Sequence, residues 1–236
     1  MPTVAGARAN ARVFPNRGAA GRELAAALVP LDLKDPIVLA LPRGGVPVGY
    51  EIAHRLGAPL DVIVVRKVGA PEQPELAIGA VGAGVSVRDD KAMAYIGVKP
   101  ADFALLAQRA QAEVERGERL FREGSTPLDL RDREVVLVDD GLATGATMQA
   151  AVQLARQRGA RSVIVAVPVG APEACDRLTA LADRVICLVA PTAFIAVGYW
   201  YDNFTQTDDD EVRRLLRLAR LEQEARAKPE GAALTG

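Results

Sequence analysis

Short apolar runs and longer amphipathic stretches follow one another along most of this chain. Each run is rich in valine, isoleucine or leucine and precedes a segment whose apolar residues recur at helical spacing. The runs predict β-strands at residues 37–41, 60–66, 134–140, 162–167 and 184–189. Strands that alternate with helices indicate an α/β fold with a doubly wound parallel sheet of about five strands. Ligands of such sheets bind beyond the carboxyl ends of the strands, where the strand order reverses.

The segments between and after these strands predict helices and one loop region, and they suggest a division of the chain into three parts. Periodic apolar positions predict helices over residues 17–30, 46–57, 102–123 and 172–182, and a further helix after Thr147. Residues 68–90 are rich in glycine and proline and predict a long loop with a small hairpin. The tail predicts an amphipathic helix with an apolar face of Val212, Leu215, Leu216 and Ala219. We expect an N-terminal segment and helix (1–30), a core (31–190), and a C-terminal hood with the amphipathic helix (191–236).

Composition and charge exclude several classes of protein. The chain has 236 residues and a net charge of −1, which gives no electrostatic reason to expect a nucleic-acid partner. No apolar run approaches the ~18 residues that a membrane span needs. The N-terminal "MPTVAGARANARVF" is basic and lacks the apolar core of a signal peptide. Cys175 and Cys187 are too few for a disulfide framework or a zinc site, so a reducing cytoplasm is the expected location.

The stretch "VVLVDDGLATGATM", Val135 to Met148, holds the candidate chemistry. Asp139 and Asp140 end an apolar strand side by side and repel each other, so a cation or a group rich in hydroxyls should face them. The small residues of Thr144–Thr147 let the backbone curl, and a helix N-terminus that follows can bind a phosphate. The spacing differs from both the Walker A loop and the dinucleotide fingerprint. Phosphate on one side and acceptors for a diol on the other describe a ribose 5-phosphate site. The plainer alternative is a strand with an acidic cap before an ordinary helix.

This stretch resembles the phosphoribosyl-diphosphate signature of the type I phosphoribosyltransferases. The resemblance covers most of residues 37–206, and the segment from Ala40 to Val81 is similar to a bacterial branch of that family. It implies the type I phosphoribosyltransferase fold, with a hood built from the chain ends and a flexible hairpin loop. It also implies that Asp139 and Asp140 contact the ribose hydroxyls and hold Mg²⁺, directly or through water. The 5-phosphate cradle would consist of Ala143, Thr144, Gly145, Ala146 and Thr147.

The resemblance extends to the groups that would bind diphosphate. The turn Leu41-Pro42-Arg43-Gly44-Gly45 matches the family's diphosphate loop, in which relatives often have a strained or cis peptide. Gly44 and Gly45 would let backbone N–H groups approach the anion, and Arg43 would add a charged hydrogen bond. Lys67 resembles the family's diphosphate-binding lysine. An equally supported alternative is that Lys67 is only a solvent-exposed residue at the end of a strand. Residues 68–88 match a mobile loop that closes over the site and excludes water.

The tail carries a second resemblance. "VGYWYD", Val197 to Asp202, resembles the "VGYALD" region of hypoxanthine-type members, which forms the hood over the base. It implies that Phe194 and Trp200 stack on the base and that Asp202 lies near the metal. The alternative is that the tail aromatics only anchor the tail to the core.

One position departs from the hypoxanthine-type pattern. Those enzymes have an aspartate where this chain has Ala143, so the proton-handling group for a purine is missing. Adenine-type members use a glutamate of the mobile loop, for which Glu72 and Glu75 are candidates. His54 is the single histidine, lies in a helix away from the inferred site, and is expected to be structural.

The sequence therefore predicts a Mg²⁺-dependent transferase that moves ribose 5-phosphate from phosphoribosyl diphosphate to a small base and releases pyrophosphate. Catalysis would rest on Asp139, Asp140, Lys67 and Arg43, which position the substrate and stabilise the leaving group. A homodimer is expected, with neither a nucleic-acid nor a membrane partner. Two alternatives share the same cradle: a non-catalytic module that binds phosphoribosyl diphosphate or a nucleotide, and a phosphatase or hydrolase with water as acceptor.

Overall fold

A five-stranded parallel sheet forms the centre of the computed structural model, which describes residues 13–73, 76–82 and 85–227. The strands are β1 (Pro36–Ala40), β2 (Leu60–Val62), β6 (Glu134–Val138), β7 (Ser162–Val169) and β8 (Arg184–Val189). Their order across the sheet is β2-β1-β6-β7-β8, and every neighbouring pair is parallel. The doubly wound parallel sheet predicted from the sequence is thus confirmed. The order reverses between β1 and β6, where a ligand site is expected.

Seven helices are described, and most of them cover the two faces of this sheet. They are α1 (Arg17–Leu28), α2 (Gly45–Leu56), α3 (Asp90–Ile96), α4 (Pro100–Arg122), α5 (Ala146–Gln157), α6 (Pro172–Thr179) and α7 (Asp209–Ala227). Short 3₁₀ turns follow α1 (Val29–Leu31) and precede α7 (Val197–Trp200). The sequence did not predict helix α3. This helix begins at the end of residues 68–90, whose glycine content indicated a loop. None of the helices in the described part of the chain is long and apolar enough to cross a membrane.

Alternate residues of the strands point into two separate cores. Val136 and Val138 of β6 pack on the side of α1, α2, α4 and α7, whereas Val135 and Leu137 pack on the side of α5 and α6. Each buried side chain of this size contributes roughly 1.5–3 kcal/mol to folding. The predicted apolar face of α7 is confirmed, since Val212, Leu215, Leu216 and Ala219 are all buried. The sheet between these cores is the rigid base on which the site is built.

A second, antiparallel sheet replaces the loop that the sequence predicted. It consists of β3 (Arg66–Gly69), β4 (Ala77–Gly82) and β5 (Val85–Arg88), in the order β3-β4-β5. The predicted strand over 60–66 is therefore wrong in its second half, since β2 ends at Val62 and Arg66 begins β3. Val68, Ile78 and Val81 are buried in the same core as residues of α4, and this burial outweighs the glycine and proline content. Strands β4 and β5 correspond to the small hairpin that the sequence predicted.

Closure of this small sheet over the site stays a prediction. Because the segment is a sheet and not a loop, the motion should be measured on all three strands. Because ladders couple the three strands, we expect them to respond as one unit. Hydrogen exchange with and without Mg²⁺ and pyrophosphate should show added protection in β3, β4 and β5 together. Strand β7, inside the parallel sheet, is the internal control and should show no change. Identical exchange of β3–β5 in both states would contradict a closing motion.

The start of the described chain meets the tail segment that precedes α7, beside the parallel sheet. Phe14 and Tyr201 form a parallel β-bridge, in which Phe14 N donates to the Trp200 carbonyl at 2.8 Å and Asp202 N donates to the Phe14 carbonyl at 2.9 Å. Phe14, Trp200 and Tyr201 share a small apolar core with Ala20 and Val169. The hood is thus built from both ends of the chain, as predicted. The division into segments 1–30, 31–190 and 191–236 stays a prediction, and its outer residues, 1–12 and 228–236, lie outside the described residues.

Candidate functional site

The acidic pair Asp139 and Asp140 stands at the carboxyl end of β6, next to the point where the strand order reverses. The backbone N–H of Asp140 donates to Oδ1 of Asp139 at 2.8 Å, which fixes the first carboxylate against the chain. Oδ2 of Asp140 accepts a hydrogen bond from Nε of Arg17 at 2.8 Å, and both side chains are largely buried. Of the two kinds of group expected opposite the pair, a cation or a group rich in hydroxyls, the chain itself supplies a cation, Arg17.

Burial shifts the ionisation of both carboxyls, and repulsion by Asp140 adds to the shift of Asp139. Burial raises the pKa of Asp139 well above its ordinary value, and the charge of Asp140 raises it further. Burial also raises the pKa of Asp140, but the hydrogen bond and the charge of Arg17 oppose that rise. Desolvation always disfavours the charged form, so a buried carboxylate pair needs a positive partner to stay ionised. Arg17 gives that support mainly to Asp140.

The predicted diphosphate turn, Leu41–Gly45, lies directly against the acidic pair. The backbone N–H of Leu41 donates to the Val138 carbonyl at 2.8 Å, which joins the end of β1 to the end of β6. The Pro42–Arg43 peptide is cis, as the resemblance implied for this loop. A methyl group added at Gly44 would lie 2.0 Å from Oδ2 of Asp140. A side chain at this position would displace the turn or the carboxylate, so in the native chain the two form one surface.

Arg43 extends from this turn toward the tail of the chain. Its Nη1 atom lies 3.5 Å from Oδ1 of Asp209, at the start of α7. The side chains of Arg43 and Asp209 are 41% and 39% exposed, so the ion pair contributes little to stability. An arginine that is held this weakly can exchange its partner for an anion in the turn.

The predicted phosphate cradle, Ala143–Thr147, connects the acidic pair to α5. Gly145 has φ = +72°, a left-handed conformation that favours glycine, and α5 begins at Ala146. No side chain caps this helix well: Oγ1 of Thr144 accepts from the Ala146 N–H at a distance of 3.4 Å. Arg177 of α6 donates to the Thr144 carbonyl at 3.0 Å, and this hydrogen bond fixes the backbone of the predicted cradle. The first N–H groups of α5 are thus available to an anion.

The tail lies over the acidic pair, and its aromatic residues differ in how far they are exposed. A side chain at Gly141 would meet Val197 at 2.5 Å, so the 3₁₀ turn Val197–Trp200 packs directly on the chain after Asp140. Trp200 is only 7% exposed and sits in the small core of the hood, which favours the anchoring alternative for this residue. Phe194 is half-buried against the same core. Tyr199, in contrast, is 61% exposed. Stacking of Phe194 or Trp200 on a base stays a prediction.

The remaining predicted site residues are more dispersed. Lys67 is exposed on β3, and its role toward diphosphate stays a prediction. Asp202 is exposed beside the Phe14 bridge. No group of three or more His, Cys, Asp or Glu side chains that could hold a metal ion is found among residues 13–73, 76–82 and 85–227, and a place for Asp202 near a metal stays a prediction. Glu72 is exposed, whereas Glu75 lies outside the described residues. His54 pairs with Glu222 at 2.8 Å, where α2 meets α7.

Two side chains of the site were not identified from the sequence. Arg17 contacts Asp140 across 123 positions of the chain. Tyr201 lies within the "VGYWYD" stretch, and its hydroxyl donates to the Asp140 carbonyl at 2.6 Å. Burial and the nearby Asp140 charge raise the pKa of Tyr201, so the hydroxyl stays protonated. The sequence indicated that a cation or a group rich in hydroxyls should face the pair, but no spacing or motif pointed to residue 17.

At the switch point of its parallel sheet, the chain brings together an acidic pair, a glycine turn and the predicted phosphate cradle. Residues 14–203 match the model of the phosphoribosyl transferase domain, and the chain belongs to this family. The type I resemblance seen in the sequence is thereby confirmed.

Individual relatives agree with this assignment. The chain is 48% identical over 209 residues to a putative phosphoribosyl transferase of Mycobacterium tuberculosis, a match that covers 88% of this chain and 47% of the relative. The chain thus spans about half the length of the curated relatives it matches. A 64-residue segment is 36% identical to uracil phosphoribosyltransferase of Staphylococcus saprophyticus and covers 27% of this chain and 31% of that protein. The crystal structure of TT1426 from Thermus thermophilus superposes with a TM-score of 0.81 at 47% identity, covering 86% of this chain and 97% of that one.

Proposed function

We propose that this chain transfers ribose 5-phosphate from phosphoribosyl diphosphate to a nitrogenous base and releases pyrophosphate. The observation that supports this most strongly is the contact between Gly44 and Asp140, in which no side chain separates the diphosphate turn from the acidic pair. The cradle begins three residues after Asp140, at Ala143. A phosphate subsite, a diol subsite and a diphosphate subsite are then contiguous, in the order in which the substrate carries these groups.

Each element has a role that its chemistry supports. The free N–H groups at the start of α5 bind the 5-phosphate, and Thr144 and Thr147 add hydroxyls. Asp139 and Asp140 accept hydrogen bonds from the ribose hydroxyls. The backbone of Gly44 and Gly45 approaches the diphosphate, while Arg43 leaves Asp209 and contacts the departing charge. Rate enhancement then comes from positioning and from stabilising the leaving group, without a covalent nucleophile.

The residues fit Mg²⁺ only as a partner of the substrate. This ion binds one or two carboxylates together with phosphate oxygens and water, rather than a cage made wholly of protein. The acidic pair supplies two carboxylates, and no third acidic side chain completes a cluster with them among the residues that the structure describes. Asp139 and Asp140 would hold the ion, directly or through water, and the ion would neutralise the diphosphate.

The base site belongs to the hood. Tyr199 and Ile195 are 61% and 71% exposed on the segment that lies over the acidic pair. Exposed apolar surface of this kind suits a flat base. Ala143 gives no carboxylate to a purine ring, so hydrogen bonds to the base must come from the tail or from the small sheet.

We expect Tyr199→Ala to raise the Michaelis constant for the base and to leave the melting temperature nearly unchanged. Stacking on an aromatic ring contributes ~1–3 kcal/mol in other nucleobase sites, which corresponds to roughly ten- to a hundredfold. Trp200→Ala is the comparison, because it empties a buried position and should cost about 3–5 kcal/mol of stability. Both Michaelis constants and the melting temperature of each variant should be measured. If Tyr199→Ala leaves the base constant unchanged, the exposed ring is not the base platform.

The activity itself can be tested with a panel of acceptors. Purines, pyrimidines including uracil, and small amines should each be incubated with phosphoribosyl diphosphate and Mg²⁺, with pyrophosphate release as the readout. Release that depends on an added base supports the transferase. Release without any base would indicate a hydrolase. Tight binding of phosphoribosyl diphosphate with no release in any mixture would indicate the regulatory binding module.

A further inference from the structure

Arg17 is held in a single position by groups from two distant parts of the chain. Its Nε donates to Oδ2 of Asp140 at 2.8 Å, and its Nη1 donates to the Thr205 carbonyl at 2.7 Å. The guanidinium carbon lies 3.9 Å from the centre of the Phe204 ring. The side chain is 11% exposed, unlike Arg22 of the same helix, which is 63% exposed. An arginine fixed on three sides has lost the rotational freedom that makes surface ion pairs weak.

Asp140 is correspondingly fixed at both of its polar ends. Arg17 holds the carboxylate, and the hydroxyl of Tyr201 holds the backbone carbonyl at 2.6 Å. The backbone of Gly44 closes the third side, because even a methyl group there would lie 2.0 Å from Oδ2. A carboxylate in such a frame cannot rotate to suit different ligands. It is pre-organised for one of them.

We propose that Arg17 is a positioning residue of this site: its guanidinium binds one oxygen of the Asp140 carboxylate and leaves the second oxygen to accept a ribose hydroxyl. The inference rests on the proposed function, because it assumes that a ribose 5-phosphate group lies between the acidic pair and the cradle. Arg17 acts on the sugar through Asp140 and touches neither the base nor the reacting atoms. Helix α1 thereby becomes part of the sugar site, although it lies outside the motif.

The role predicts a change in sugar selectivity that simple loss of packing would not produce. Wild-type chain should bind ribose 5-phosphate more tightly than 2-deoxyribose 5-phosphate or 3-deoxyribose 5-phosphate, because each analogue leaves a carboxylate oxygen without its donor. Arg17→Met should weaken ribose 5-phosphate by roughly ten- to a hundredfold. One of the two analogues lacks the hydroxyl that Asp140 binds, and Arg17→Met should leave the affinity for that analogue nearly unchanged. The ratio of the ribose 5-phosphate affinity to the affinity for that analogue should therefore fall to about one. Calorimetry with the three sugar phosphates measures both ratios.

A double-mutant cycle tests whether Arg17 acts through Asp140. In an Asp140→Asn background, Arg17→Met should cause no further loss of ribose 5-phosphate affinity. Arg22→Met is the matched control, since Arg22 lies on the same helix but pairs with Glu51 at 2.8 Å. It should leave all three affinities unchanged. If Arg17→Met fails to fold, Arg17→Lys keeps the charge beside Asp140 but cannot make all three contacts, and it should lower the same ratio to a smaller extent.

The outcomes separate this inference from the proposed function. If the wild-type chain binds none of the sugar phosphates, the proposed function falls and the role of Arg17 falls with it. If the wild-type chain binds ribose 5-phosphate selectively and the Arg17 variants keep both ratios, only the role of Arg17 is overturned. Additive losses in the double-mutant cycle would also overturn it, because they would assign Arg17 to general stability of the hood.

Discussion

Gly44→Ala is expected to abolish most of the transferase activity while the chain still folds. The added methyl group would lie 2.0 Å from Oδ2 and 2.6 Å from Cγ of Asp140, a separation that real atoms do not tolerate. The diphosphate turn or the carboxylate must therefore move by about an ångström, and a displacement of this size at a reacting group can cost about a hundredfold in rate. Both the affinity for Mg²⁺–pyrophosphate and kcat/KM for phosphoribosyl diphosphate should fall.

The matched control for this substitution is Gly117→Ala in α4. A methyl group there would lie 3.1 Å from Cγ1 of Val64, so a shift of a few tenths of an ångström accommodates it, and alanine is favourable within a helix. Circular dichroism and melting temperature should be recorded for both variants. Full activity of Gly44→Ala would show that the contact between the turn and the acidic pair does not matter for catalysis. The three-subsite arrangement would then lose its main support.

Substitution of the acidic pair is the second large effect. Asp139→Asn combined with Asp140→Asn should weaken binding of Mg²⁺–phosphoribosyl diphosphate, since each charged acceptor contributes ~1.5–3 kcal/mol to a hydrogen bond. Two such losses correspond to roughly two to four decades of affinity when they add. Calorimetric titration of the double variant measures this directly. The exposed Asp102→Asn, at the start of α4, is the control and should bind like the wild type.

The two single variants should differ in stability, because their surroundings differ. Asp139→Asn removes a buried charge whose ionisation is opposed by burial and by Asp140, so stability should stay equal or increase. Asp140→Asn leaves Arg17 largely buried without its carboxylate, so stability should fall. Chemical denaturation of both variants distinguishes these cases. Unchanged affinity for the substrate in the double variant would contradict the assignment of the pair.

The sequence predicted local features well because their causes are local. Val135–Val138 form a strand, and the Asp-Asp and Thr-Gly-Ala-Thr segments end it and begin a helix, all within one short stretch. The small sheet was misread for the opposite reason. Glycine and proline content favours a loop, whereas Val68 and Ile78 are strand residues because α4 covers them, and that cover depends on tertiary contacts. The same holds for Trp200, which could have been a base platform or an anchor until its burial was known.

Arg17 shows where prediction from one sequence ends. Electrostatics alone indicates that a cation or a group rich in hydroxyls should lie opposite two adjacent carboxylates. Its identity depends on how α1 is placed, which Phe14 and the tail decide through a bridge between residues far apart in the chain. An ordinary helix-start signal, Asn16 capping the Ala19 N–H at 2.9 Å, gave no hint that the next residue would reach the site.

The bridge between Phe14 and Tyr201 also sets the order in which the site can be completed during synthesis. Arg17 leaves the ribosome long before Asp140, and Thr205, which holds the guanidinium from its other side, follows Arg17 by 188 positions. Strands β1, β2, β6 and β7 and the cradle can assemble while the tail is still being translated. The acidic pair and the predicted cradle can therefore form before Thr205 and Tyr201 of the tail hold Arg17 and Asp140. The tail supplies Thr205 to Arg17 and Tyr201 to Asp140. On the proposed function, we therefore expect a nascent chain to bind ribose 5-phosphate fully only after Thr205 has left the ribosome.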